Sequence, residues 1–278
     1  MTLCIAWRGN GHTLLASDSR ISRADRYSDY GIKLCPIQVR IFEPAPEDSK
    51  SQIAFSKIYG IGFAGSFSAL ASVKHFLSIA LSNLQYIPTI QTINFEGICT
   101  VALDFYRIVA KRLQDEIDDG DVDFFFAGYC PSERRIRVAK FFIDFGQDLE
   151  DFEPKFQIDI DGENKDFIEY FGSGEDRFQI FLDAQESLPS ESRPLHALRT
   201  MIAAKACESV GGNIQFGNFD SNDDFCVSGI MVDEMDDNDC LNIRYYLAGL
   251  DMNGDEFNKS EDKYFVRGSF LDFVKQIS

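Results

Sequence analysis

The sequence offers its cysteines no pattern. The seven of them, Cys4, Cys35, Cys99, Cys130, Cys207, Cys226 and Cys240, are scattered and form no C-x-x-C pair. Neither a zinc spacing nor a disulfide framework is suggested, and most of them read as buried thiols in a reducing compartment. Histidine is sparse too. His12, His75 and His196 stand in no ligand or catalytic motif, so core or surface roles are expected. No apolar run approaches the roughly 18 residues of a membrane-spanning helix, and the first residues lack the basic start and apolar stretch of a secretory signal. Basic side chains are in deficit, 27 Lys and Arg against 45 Asp and Glu, for a formal charge of −18. That field repels phosphate backbones and anionic lipid, which disfavours nucleic acid and membrane as partners. A soluble, cytoplasmic protein is expected. The chain also lacks a G-x-x-x-x-G-K-[ST] phosphate loop, and nothing in it calls for a metal or another cofactor.

What is present suffices for a sizeable core: 45% of the 278 residues are apolar and 13% aromatic. No Pro- or Gly-rich linker divides the chain, so residues 1–278 are expected to form a single domain. A hairpin is expected over residues 3–19, turning at Gly9-Asn10-Gly11 and followed by a polar connection around Arg20–Tyr30. Strands are expected at 33–37, 52–55 and 57–63, past a loop with Pro44 and Pro46. Helical periodicity runs over 69–84, with Ser66 as N-cap, and over 93–117. Strand signals return at 123–128 and 136–143, joined by Pro131-Ser132-Glu133. The run Phe124-Phe125-Phe126 suggests a strand buried on both faces. A strand ending at Tyr170-Phe171-Gly172 leads to helices over 175–184 and 195–210, the second opened by Pro194 and ended by Gly211-Gly212. Residues 217–239 are acidic around an apolar strand at 225–232. Their spacing does not match an EF-hand, and a solvated face is expected rather than a calcium site. Residues from about 231 to 278 read as an acidic C-terminal extension whose tail, 269–277, has the pattern of a short helix.

Thr2 follows the initiator methionine at the start of the first strand. If Met1 is removed, Thr2 carries a hydroxyl and a free α-amine, and an α-amine titrating near 8 can take the hydroxyl proton. Nucleophile and base then share one residue. Cys4 lies on the same face of the strand but lacks the terminal amine, which makes it the weaker nucleophile.

The order Thr2, Ala16-Ser17-Asp18-Ser19-Arg20, Lys33, Gly62-Phe63-Ala64-Gly65-Ser66 and Gly172-Ser173-Gly174 resembles the catalytic β-subunits of the proteasome and their bacterial relatives HslV and Anbu. The resemblance covers most of the chain to about residue 230, and its strongest element is the spacing of Thr2, Asp18 and Arg20. It implies an α+β fold, the four-layer αββα sandwich of the N-terminal nucleophile hydrolases, and a threonine peptidase that needs no cofactor. It further implies that Thr2 attacks a peptide carbonyl, that Lys33 tunes the amine and stabilises the alkoxide, and that Asp18 offsets the lysine charge. Gly65 would supply an oxyanion N–H, Ser173 would bond near the Thr2 amine, and Arg20 would support the site. Phe63 and Phe67 would line a pocket for an apolar or aromatic substrate side chain. Three positions depart from the pattern. Ala69 stands where many family members place an acidic residue after the oxyanion turn. Lys33 sits one residue nearer Thr2 than is usual, and the carboxylate that precedes the glycine after the fourth helix is Glu208 in one register and is replaced by Cys207 in another. Peptide or unfolded-protein substrates, self-assembly into rings through the helix pair at 69–117 with Phe76, Phe95 and Phe105 as anchors, and an ATP-dependent unfoldase partner belong to the same implication. Two alternatives stay open: an inactive assembly subunit of this fold, and an amidase acting on a small amide.

Overall fold

The computed structural model describes residues 2–23, 26–44, 52–87, 92–145, 152–158, 166–235, 241–253 and 270–272. Met1, Pro46, the acidic residues Asp236, Asp237 and Asp239 and most of the expected C-terminal helix lie outside them. Asn10 and Gly11 both take positive φ, 50° and 80°. Such a pair suits the two-residue turn whose twist matches a hairpin, here β1 (Leu3–Gly9) against β2 (His12–Asp18). The chain continues with β3 (Ile21–Arg23), β4 (Arg26–Ser28), β5 (Leu34–Phe42), β6 (Ile53–Gly65), α1 (Phe67–Leu81) and β7 (Leu84–Gln85). Then come α2 (Phe95–Ile117), β8 (Val122–Cys130), β9 (Arg135–Phe145), β10 (Phe152–Ile158), β11 (Phe167–Gly172), α3 (Glu175–Asp183) and α4 (Arg193–Ala203). β12 (Ile214–Phe219), β13 (Phe225–Met235), β14 (Leu241–Leu247), β15 (Leu250–Asp251) and β16 (Phe270–Asp272) follow. The class is α+β. Two compact units divide the chain, one of Met1–Leu34, Asp166–Asn218 and Val227–Ser278, the other of Cys35–Lys165 and Phe219–Cys226.

In the first unit the sheet order is β11-β1-β2-β12-β13-β14-β15, with β16 parallel to β13. All of β1 is buried, and its side chains alternate between faces. Leu3, Ile5 and Trp7 join an apolar cluster with Phe178, Leu195, Leu198, Met201 and Phe216 from α3, α4 and β12. Trp7 still satisfies its indole N–H by donating to the Glu191 carbonyl at 2.8 Å. Thr2 and Cys4 have the opposite parity and leave this core. Registers Leu3↔Gly172, Cys4↔Ser17 and Asp18↔Ile214 bring the start of β1, the ends of β2 and β11 and the start of β12 to one end of the sheet. That end carries the chemistry described below.

The second unit has a sheet of order β10-β9-β8-β6-β5-β7. Its core is aromatic. Phe124 stacks on Phe141 with centroids 4.5 Å apart and planes 7° from parallel, and Tyr106 packs edge-on against both. The buried Tyr106 hydroxyl donates to the Val122 carbonyl at 2.6 Å, which removes the cost of an unpaired polar group. Phe124, Phe125 and Phe126 are all buried, as their continuous run suggests. Ser66 caps α1, its hydroxyl accepting from Ala69 N at 3.3 Å. Among the acidic residues after β12, Asp224 has a structural part, accepting from Ile58 N at 2.7 Å.

Four expectations are corrected. α4 stops at Ala203 rather than Val210, because Lys205 turns left-handed (φ 50°). Its N–H donates to Ile202 O at 3.0 Å and that of Ala206 to Met201 O at 3.2 Å, the bond pair of a Schellman motif that closes the helix well before Gly211. The two strands expected at 52–63 are one, β6, which runs without a break through Ser56 because neither Gly nor Pro stands there. The connection at 20–30 contains the β3–β4 ribbon. Residues 270–272 are a strand rather than helix, their backbone groups pairing with Gly229–Met231. Among the described residues, no helix is long and apolar enough to cross a membrane.

Candidate active site

Asp18 closes β2 with its side chain fully buried, and five donors surround its carboxylate. Oδ1 accepts from the Thr2 hydroxyl at 2.5 Å, from Leu3 N at 3.1 Å and from Lys33 Nζ at 2.8 Å. Oδ2 accepts from Arg20 N at 3.1 Å and Gly211 N at 3.0 Å. Lys33 Nζ also donates to Thr2 Oγ1, so hydroxyl, ammonium and carboxylate form one closed triangle. All three residues are at most 3% exposed. Burial of this kind penalises a bare charge, and the lysine–aspartate pair answers the penalty with mutual attraction and backbone hydrogen bonds. Desolvation dominates at Lys33 and holds its amine below the ordinary lysine value, with Asp18 pulling the other way. Donating to Thr2 Oγ1, the Lys33 amine is placed to stabilise negative charge on that oxygen. Cys4, buried beside them, has its thiol pushed far up by burial, which keeps it protonated and inert.

A second set of bonds holds the triangle. Arg20 forms a bidentate pair with Asp29 at 2.7 and 3.0 Å, donates to the Glu208 carbonyl at 3.0 Å and lies 3.9 Å over the Tyr27 ring. This ties the loop after β2 to the segment carrying Gly211. Ser19 acts beside it, donating to Asp29 O at 2.7 Å and accepting from Asn213 N at 2.8 Å. Gln215 takes Lys33 N at 2.9 Å and Leu34 N at 3.0 Å on one carbonyl oxygen. Gly172 runs so close to Thr2 that an added Cβ would lie 2.0 Å from the Thr2 carbonyl oxygen, and its φ of +117° suits glycine.

Thr2, Asp18 and Lys33 are thus brought together as the sequence order suggests, with Arg20 one bond away. Ser173 is exposed and shares a 2.6 Å hydroxyl contact with Ser209, which also lies 3.2 Å from the Cys207 sulfur. Glu208 serves through its carbonyl oxygen; its exposed carboxylate has no hydrogen bond or ion pair among the described residues. Gly65, in the other unit, takes φ +112° where a Cβ would meet Asp121 O at 2.4 Å. There Phe63 is fully buried in the core beside Phe124 and offers no surface to a ligand, whereas Phe67 is 47% exposed. Phe95, expected as a contact anchor, is likewise core. Asp29, Ser209, Gly211 and Gln215 are not legible in the sequence as site residues.

No protein-family model matches the chain, and neither does any curated protein. Solved structures do resemble it. Anbu, the ancestral β-subunit from Yersinia bercovieri, superposes with a TM-score of 0.56 at 14% identity over 81% of this chain and 86% of that one. The Gly-1 mutant of Anbu from Hyphomicrobium sp. strain MC1 gives 0.54 at 16% identity, covering 99% and 91%. The helical assembly of the Anbu complex from Pseudomonas aeruginosa gives 0.51 at 16%, covering 78% and 80%. At such identities the likeness concerns architecture alone: this chain has the fold of the proteasome-related Anbu proteins.

Proposed function

We propose that the protein is an N-terminal nucleophile hydrolase that cleaves peptide bonds through Thr2 once Met1 is removed. The observation that carries the proposal is the buried triangle of Thr2 Oγ1, Asp18 and Lys33. In this mechanism the free Thr2 α-amine takes the hydroxyl proton as Oγ1 attacks the substrate carbonyl carbon, and Lys33, which donates to Oγ1, stabilises the developing alkoxide. A backbone N–H holds the resulting oxyanion, the part that the family resemblance gives to Gly65, and the Thr2 α-amine passes its proton to the departing amine. An ester on Thr2 remains, which water then hydrolyses. Asp18 keeps Lys33 in place and compensates its charge whenever it is protonated. Ser173, which contacts Ser209, would serve by hydrogen bonding to the Thr2 amine. A single domain over residues 1–278 in the four-layer αββα arrangement belongs to the same proposal. So does self-association, which the helical assembly of the Pseudomonas Anbu complex supports by analogy of fold.

Intact mass of the purified protein tests the first step, with loss of one methionine expected. A hydroxyl-directed electrophile such as a peptide epoxyketone should then add to Thr2, and Thr2→Ala should lose both the adduct and peptide hydrolysis while keeping a cooperative melt, lowered by only a few degrees for the lost buried hydroxyl contacts. A retained Met1 together with an unlabelled Thr2 overturns the proposal and selects an inactive assembly subunit of the same fold.

A further inference from the structure

Lys33 precedes β5 in a stretch, residues 29–33, that belongs to no strand. A long side chain places its amine only as well as its own backbone is placed, and here no ladder does the placing. Gln215 does it instead. From β12, where it pairs in register with Ser17, its carbonyl oxygen accepts both Lys33 N and Leu34 N, and its amide nitrogen donates to Gly31 O. Three bonds from one fully buried side chain therefore stand in for a missing strand neighbour. A second element closes over it. Ala248 and Gly249 form the turn between β14 and β15, with φ of 49° and 85°. Asn213 Nδ2 donates to Gly249 O at 2.9 Å. A Cβ on Gly249 would fall 2.8 Å from Ser19 Cβ and 3.5 Å from the Gln215 amide nitrogen, so the turn's backbone itself is the wall of this buried polar cluster.

We propose that Gln215 is a positioning residue for Lys33, and that the Ala248–Gly249 turn of the C-terminal extension holds Gln215 in its working rotamer. The inference rests on the hydrolase proposal for its functional meaning. The C-terminal extension thereby gains a role, since its last hairpin props the catalytic lysine from behind.

The groups that face Lys33 electrostatically are Asp18, Cys4 and Asp29. A side chain that loosens the Lys33 backbone changes its distance to all three. In Gln215→Met, similar in size but without the amide, kcat on a fluorogenic peptide should fall about tenfold to a hundredfold with KM unchanged. The Lys33 ammonium titration, followed through Cε-13C lysine NMR and assigned with Lys33→Met, should move as well. Gln215→Glu keeps the acceptor for the two N–H groups but adds an anion, and should shift the acidic limb of the kcat profile to higher pH. Gly249→Ala should lower kcat in the same sense through the crowded turn. In the parent protein, the Lys33 and Leu34 amides should exchange with solvent as slowly as those of β2. Parent-like kcat and Lys33 titration in Gln215→Met, or fast exchange of both amides in the parent, overturns the positioning role. The two proposals fail separately. A parent without turnover whose Lys33 titration still moves in Gln215→Met refutes the hydrolase and keeps the positioning; an active parent with an unmoved titration does the converse.

Discussion

At the scale of single residues, the cost of the site is concentrated at Lys33. Its amine is held below the ordinary lysine value in the folded state, chiefly by burial. Between the folded and unfolded values the unfolded chain binds one more proton, so this group makes stability rise with pH through that window and fall as pH drops through it. Lys33→Met should remove that slope from a plot of unfolding free energy against pH. Lys33→Ala should destabilise by about 3 kcal/mol at neutral pH, because it leaves Asp18 buried with its cation gone; denaturant melts of parent and variant measure the difference. Both variants should also lose hydrolysis. Thr2, Asp18 and Lys33 are visible in the sequence because reactive side chains at a fixed spacing form an ordered pattern. Gln215 and Gly211 are not, since one acts through an amide that also suits a surface and the other through a backbone N–H, which carries no residue signature.

At the scale of elements, the legible parts are those whose side chains repeat. The periodicity of α1 and α2 and the hairpin signal at Asn10–Gly11 are local, and the structure has them within a few residues of where the sequence puts them. The end of α4 departs for a related reason: the expected stop is a glycine pair, and the helix instead closes on Lys205, a residue with no special liking for positive φ. That turn is held by its two hydrogen bonds rather than by its residue type. Lys205→Gly should therefore stabilise the protein, by about 0.5–1 kcal/mol, as the left-handed strain is relieved. A thermal melt showing a lower Tm would mean that the lysine side chain contributes more than its backbone costs. The β3–β4 ribbon and β16 escape a sequence reading because three-residue strands are too short to display an alternation.

For the whole molecule, apolar surface and charge point in different directions. A charge of −18 spreads copies apart, yet Phe76 and Ile79 on α1 and Phe105 and Ile108 on α2 are exposed, Ile79 by 67%. Under the self-association proposed above, these four residues supply the contact, and screening the charge strengthens it. Sedimentation velocity should show a species larger than the 31.5 kDa chain that grows with salt. Phe76→Glu combined with Ile108→Glu should return it to monomer with no loss of Tm, since neither side chain is buried. A parent that sediments as a monomer at all salt concentrations refutes the contact.

The bond from Gly211 N to Asp18 joins residues 193 positions apart. A ribosome adding roughly 5–20 residues per second needs about 10–40 s to make that span. Throughout that interval the emerging chain carries Thr2, Asp18 and Lys33 without the segment that fixes them. The Thr2 hydroxyl therefore exists long before the surroundings that fix it, and a nascent chain of this protein holds no fully assembled triangle until Gly211 has been made.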